Sequence, residues 1–156
     1  MSQNTSNKFL LLWLLFPIGL VVYLLSQNLT KAKPEKSIWI LTSRYRKYAN
    51  WIEAQAKHET GNYTSEVYKR ANNLFGMKNA NVRKQLGKEV EGDSYRHYKN
   101  VGESIRDYLL YLDHFGVPSN IGTAESYFQK LKDQKYFTDS FKNYFNGVRN
   151  FINVKA

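Results

Sequence analysis

A mainly α-helical domain with a small loop or β-hairpin insertion, preceded by one transmembrane helix, is the architecture this sequence predicts. Three observations predict it. Apolar residues recur at steps of three and four through Ile38–Glu59, Glu103–His114 and Asp139–Ile152. The polar stretch 79–94, which holds Gly87 and Gly92, interrupts that pattern once. Finally, Phe9 to Leu25 carries no charged residue.

Residues 1–8 form a polar tail. Residues 9–29 reach the roughly 20 apolar residues that a bilayer-spanning helix needs. Trp13 and Tyr23 stand toward the two ends, where amphipathic rings favour headgroups. Pro17 and Gly19 are better tolerated in a bilayer helix than in a soluble one. A cleaved signal peptide would have a shorter apolar region and a small-x-small site, and YLLSQNLTKA offers none, so the run is read as an uncleaved anchor. Lys31, Lys33 and Lys36 follow the run and Lys8 precedes it, an asymmetry that places the large domain on the cytoplasmic side.

Residues 30–37 read as a polar linker, with Ser37 as N-cap of a single helix that runs to Glu59. Its inward stripe is Ile38, Leu41, Tyr45, Tyr48, Ile52, Gln55 and Glu59, and Gly61 supplies the stop. A carboxylate thus stands where the stripe calls for an apolar side chain. After the loop or hairpin at 79–94, helices are expected over Glu103–His114, Thr123–Lys132 and Asp139–Ile152, the last with Phe141, Tyr144, Phe145, Val148, Phe151 and Ile152 on one face.

The absence of cysteine excludes a disulfide framework, a thiolate metal site and a Cys nucleophile. With 23 Lys+Arg against 13 Asp+Glu the net charge is +10, which suits an anionic partner: nucleic acid, membrane phosphates or wall polymer. Basic residues interleaved with 15% aromatics would fit single-stranded nucleic acid, but no nucleic-acid-binding motif is present and no specific nucleic acid is expected. His58-Glu59 opens like a zinc-protease HExxH, yet Asn62 takes the place of the second His, so no metal is expected. His97 and His114 are isolated, and no cofactor-binding motif occurs.

The segment Ala54–Lys78 is the most informative. QAKHETG, then Ser65, then NNLFGMK resembles the glucosaminidases of glycoside hydrolase family 73, in the lysozyme superfamily. Tyr95-Arg96-His97-Tyr98, Glu103-Ser104-Ile105-Arg106-Asp107-Tyr108 and KYFTDSFKNYFNGVRNFI resemble that family's later motifs, in the right order. The resemblance covers about residues 38–153 and implies a lysozyme-like α domain that cleaves peptidoglycan, at the β-1,4 bonds between N-acetylglucosamine and N-acetylmuramic acid. It departs from the family at Asn72, where a tyrosine commonly precedes Asn-Leu-Phe-Gly.

Glycosidic cleavage needs a carboxylic acid protonated near neutral pH to protonate the leaving oxygen, and partial burial provides one. Glu59 fits that role; the competing reading is a buried glutamate paired with Arg96 or Arg106. The resemblance implies a second carboxylate on a hairpin, and Glu89, Glu91 and Asp93 fall in that window. A substrate N-acetyl group can replace that carboxylate, or a 6-hydroxyl that closes an anhydro ring, so one acid can suffice and the enzyme is a glycoside hydrolase or a lytic transglycosylase. Asn73, Phe75, Tyr95 and Tyr98 are the candidates for holding sugar, and Tyr63 and Tyr68 are weaker ones. The expected partners are peptidoglycan and, through residues 9–29, a lipid bilayer. The expected location is a single-pass position in a bacterial envelope or a phage virion membrane. A non-catalytic glycan- or nucleic-acid-binding protein on the same fold is the alternative.

Overall fold

The computed structural model describes residues 33–152; the expected anchor at 9–29 lies outside them. Among the described residues no helix is long and apolar enough to cross a membrane. They form α1 (Pro34–Leu41), a 3-10 segment (Ser43–Tyr48), α2 (Ala49–Glu59), α3 (Glu66–Ala71), β1 (Lys88–Val90), β2 (Asp93–His97), α4 (Val101–His114), α5 (Ala124–Asp133) and α6 (Phe141–Arg149). The domain is mainly helical with one two-stranded antiparallel sheet, the arrangement expected of a lysozyme-like domain.

The first helix begins earlier than expected. Pro34 occupies its first turn, where a missing N–H costs nothing, so residues 34–37 are helical and Ser37 is buried inside α1 rather than capping it. Nor is the helix to Glu59 continuous. Thr42 bonds its own side chain back to the Ile38 carbonyl at 2.8 Å, and Tyr45 leaves helical geometry at φ −107°, ψ 31°. The intervening 3-10 turns keep steps of three and four on one side, so Ile38, Tyr45, Tyr48, Ile52 and Gln55 all face the core despite the break.

The later helices match their expected places to within a few residues, with Thr123 and Ser140 as side-chain N-caps of α5 and α6 and Asn100 capping α4. Helix α3 was not anticipated. Its six residues are too few to show a 3.6-residue period, and the Ser65 cap, which accepts from the Tyr68 N–H at 3.3 Å, is its one sequence mark.

The polar stretch folds as a hairpin with Val90 opposite Asp93 across the Glu91-Gly92 turn and Lys88 opposite His97. Asp93 ties it down: its carboxylate accepts from Arg70 at 2.9 Å and from the Tyr95 N–H at 3.0 Å, and lies 2.7 Å from His97 Nε2. These bonds, the Tyr95 N–H first and His97 next, lower the Asp93 pKa to about 2. A depressed pKa contributes stability above the ordinary Asp range that is lost as pH falls through about 2. Asp93→Asn is therefore expected to speed amide exchange in the hairpin at neutral pH, with the helices unaffected; equal exchange in the two proteins would refute the clamp.

The core is rich in tyrosine, which explains much of the aromatic content. Tyr48, Tyr108 and Tyr127 are fully buried among Ile52, Ile105, Leu112, Phe128 and Leu131. Buried hydroxyls need partners, and these have them: Tyr48 donates to the Pro118 carbonyl and accepts from the Ile121 N–H, while Tyr108 and Tyr127 lie 2.7 Å apart. Helix α1 packs on α4, and α6 packs on both α2 and α5.

Candidate active site

Glu59 is the last residue of α2, and the chain turns sharply after it. Thr60 donates its hydroxyl back to the Ala56 carbonyl at 2.6 Å, and Gly61, Asn62 and Tyr63 all adopt left-handed φ, from +55° to +67°. The N–H groups of Thr64 and Ser65 return to the Thr60 carbonyl, which closes the turn. The Glu59 side chain is thereby aimed away from the helix axis into a cleft of ≈ 640 Å³.

One wall of that cleft is the loop after α3. Asn73 holds it in shape: its Oδ1 accepts from the Met77 N–H at 3.0 Å, and its Nδ2 donates to the carbonyls of Met77 and Arg96 at 2.8 and 2.9 Å. Phe75 stacks on Tyr108 with centroids 4.1 Å apart, and Gly76 follows at φ +60°. A Cβ on Gly76 would sit 3.4 Å from Glu59 Oε2, so this glycine leaves the carboxyl its room. The opposite wall comes from residues 134–139 and Tyr144 of α6, and Tyr111 and Phe115 also line the cleft.

Tyr144 donates its hydroxyl to Glu59 Oε1 at 2.6 Å. Neither Arg96 nor Arg106 pairs with Glu59, so the buried ion-pair reading does not hold; Arg96 serves Glu89 at 3.2 Å and the Leu86 carbonyl at 2.7 Å instead. Burial raises the Glu59 pKa by penalising the charged form, and the Tyr144 hydrogen bond opposes this in part. Tyr144 and Tyr136 are pushed well above the ordinary tyrosine range, first by burial and then by Glu59. Both phenols therefore remain protonated donors. Tyr136 donates to the Phe75 carbonyl, which ties the two walls together.

The sequence-derived candidates separate into three groups. Glu59, Asn73, Phe75 and Tyr95 line the cleft. Asn73 lies buried with both ends of its carboxamide engaged, so it shapes the wall, whereas Tyr95 is half-buried with the cations of Arg70 and Lys78 5.9 and 6.0 Å from its ring centre. Tyr98 does not line the cleft. It is buried beneath the hairpin and donates to Asp107 at 2.8 Å, because its strand directs it toward α4. Tyr63 and Tyr68 pack on each other outside the cleft with ring centres 5.9 Å apart, and Asn72 caps α3 in the left-handed conformation. Glu89 and Glu91 are exposed on the hairpin and line no part of the cleft; Glu89 pairs with Arg96.

Asp139 is the other carboxylate in the cleft lining among the described residues. It is exposed and accepts from the Ser140 N–H at 2.7 Å. Sequence reasoning missed Asp139, Tyr136 and Tyr144 as site residues, although all three lie in the last family-like segment. Tyr144 reaches Glu59 where α6 packs on α2, and there a Cβ on Gly147 would fall 2.4 Å from the His58 ring, so any larger residue requires that ring to move.

A cleft with a partly buried carboxyl of raised pKa on one side and aromatic and amide groups around it can protonate a glycosidic oxygen. Comparison with known proteins agrees with that chemistry. The model of the Glucosaminidase family, described as mannosyl-glycoprotein endo-beta-N-acetylglucosaminidase, matches residues 35–154. No curated protein and no solved structure matches the chain. The family match runs through every described helix, the hairpin and both walls of the cleft, and the chain belongs to the glucosaminidase family and is a glycoside hydrolase.

Proposed function

We propose that this chain is a membrane-anchored peptidoglycan hydrolase that cleaves the β-1,4 bond between N-acetylglucosamine and N-acetylmuramic acid, with Glu59 as general acid. The observation that carries the reading is the Glu59 carboxyl, held at the end of α2 in the lining of the cleft, where burial raises its pKa. The family match supports peptidoglycan as the substrate class.

Neither hairpin carboxylate candidate lines the cleft, and the other carboxylate that does, Asp139, is exposed and engaged by the Ser140 N–H, which together favour a substrate-assisted route. The acetamido carbonyl oxygen attacks C1 as the C1–O bond breaks, and the Glu59 proton passes to the leaving oxygen. Water then adds at C1 of the cyclic intermediate, the C1–O bond to the acetamido oxygen breaks, and the water proton returns to Glu59. In this scheme Glu89 takes no part in the chemistry. Glu89→Gln is expected to keep activity within about threefold of wild type, since an exposed ion pair contributes little. A loss of a hundredfold or more would make Glu89 a second catalytic carboxylate.

Lys78 and Lys135 at the cleft edge and the overall +10 charge suit the approach of an anionic wall polymer, with attraction that weakens as salt rises. The anchor at 9–29 rests on the uncharged run in the sequence. The lysines after it sit awkwardly with an external bacterial domain and less so with a virion membrane protein whose topology is set by assembly. Purified sacculi incubated with the full chain should lose turbidity, and the chain should stay with membranes through a high-salt wash. Intact sacculi would overturn the substrate, and release by salt alone would overturn the anchor.

A further inference from the structure

A line of buried polar groups crosses the domain behind Glu59. Tyr127 of α5 and Tyr108 of α4 lie with their hydroxyls 2.7 Å apart, and Tyr108 donates to Gln55 Oε1 of α2 at 2.5 Å. The single Tyr108 proton is thus committed to Gln55, so Tyr127 is the donor to Tyr108. The Nε2 of Gln55 is buried and makes no hydrogen bond, so this line ends at Gln55. Tyr144 is a separate donor, to Glu59 Oε1 at 2.6 Å.

The Tyr144 ring has little freedom to turn away. Phe137 stacks on it with centroids 3.7 Å apart and planes 4° from parallel, and the edge contact with His58 is at 4.9 Å. A neutral carboxyl carries one proton on one oxygen. If Oε1 accepts from Tyr144, the proton resides on Oε2, the oxygen beside Gly76 in the cleft wall.

We propose that Tyr144 is a positioning residue that decides which oxygen of Glu59 carries the transferable proton: packing against Phe137 and His58 holds it as a donor to Oε1, and the proton is presented on Oε2. The proposal rests on the reading of Glu59 as the general acid and adds the group that prepares it. Tyr144 also sets when the proton is lost, because a donor to Oε1 favours the carboxylate and opposes the burial of the site.

The titratable and charged groups that share the cleft with Glu59 are Tyr144 on α6, Lys135, Tyr136 and Asp139 in the segment before it, Tyr111 on α4, Tyr95 on β2, and Lys78 and Arg83 in the stretch before the hairpin, with His58 beside Glu59 on its own helix. Burial keeps His58 below its ordinary range and holds Tyr136 and Tyr144 far above theirs. A probe of the Glu59 carboxyl itself separates its titration from that of His58 and Asp139.

The test is a carbon NMR titration of the Glu59 Cδ in the full chain, assigned by the resonance missing from Glu59→Gln, beside the pH profile of sacculus lysis. Tyr144→Phe removes one oxygen and is expected to raise the Glu59 midpoint by about one to two pH units, the range of one charge-assisted hydrogen bond. Phe137→Leu, which removes the ring stacked on Tyr144, should shift the midpoint the same way by less. An unmoved midpoint in folded Tyr144→Phe overturns the proposal. If Tyr144→Phe does not fold, Phe137→Leu decides alone, by a raised or an unmoved midpoint. A midpoint that moves while the basic limb of the lysis profile stays fixed would leave the Tyr144–Glu59 hydrogen bond standing and remove Glu59 as the acid.

Discussion

Glu59→Gln is expected to lower glycan cleavage by about 10²–10⁴-fold, the usual contribution of a positioned general acid. The substitution is close to isosteric. Tyr144 can still donate to the amide oxygen, and Gly76 still leaves the side chain its room. What is lost is the proton, because a carboxamide N–H is far too weak an acid to protonate a leaving alkoxide. The fold should not suffer. The folded-state pKa of Glu59 is raised by burial, so the native protein binds this proton more tightly than the unfolded chain does. Stability conferred through this group is therefore present below the ordinary Glu range and falls as pH rises through the raised value. Gln removes that slope, and the variant should melt at or above the wild-type temperature at neutral pH. Calorimetry beside the lysis assay checks both halves. A variant that is inactive because it is unfolded would not support the assignment.

The second large effect concerns stability. Arg83 and Asp107 form a bidentate pair at 2.8 and 3.0 Å, with side chains 3% and 0% exposed. Asp107 also accepts from the Tyr98 hydroxyl and the Leu86 N–H, each at 2.8 Å. It therefore anchors to α4 both the loop that carries Arg83 and the strand end that carries Tyr98. Asp107→Ala leaves a guanidinium buried without a counter-charge and two further donors without an acceptor. Breaking a buried pair in this way costs about 3–5 kcal/mol, roughly 10–20 °C in melting temperature for a domain of this size. Replacing both partners with apolar residues should cost less than the two single losses added together, since the stranded charge is then absent. A change of only a few degrees in Asp107→Ala would mean that water reaches Arg83 and the pair is not the anchor described.

These two sites also show how far the sequence could be read. Glu59 was legible because it breaks an apolar stripe, and that stripe survives the kink at Thr42–Tyr45 in the structure. The kink was not legible. A 3-10 turn repeats every three residues and an α turn every 3.6, and both satisfy a pattern of threes and fours. Asp107 stood in a family-like motif, but its partner Arg83 lies 24 residues away in a stretch that reads only as polar loop. Tyr144 is 85 residues from Glu59, and in the sequence it is one more aromatic on an amphipathic face.

The sugar-holding candidates divide for the same reason. Asn73 and Phe75 line the cleft because the motif fixes a local loop, and that loop forms one wall. Tyr98 is drawn inward because Asp107 offers a buried acceptor, an attraction that the spacing of tyrosines along a strand cannot reveal. The hairpin was expected at 79–94, but its pairing directs Glu89 to Arg96 and solvent, and no periodicity in the sequence encodes that outcome.

The most direct test of the central claim is the chemistry of the new chain ends. Purified peptidoglycan digested with the full chain is reduced with borohydride, hydrolysed and analysed for the sugar that has become an alditol. Cleavage at C1 of N-acetylglucosamine, the bond a glucosaminidase breaks, yields glucosaminitol with wild type and, at equal folded concentration, about 10²–10⁴-fold less with Glu59→Gln. Reduced muramic acid, an anhydro end, or equal yields from the two proteins would contradict the account.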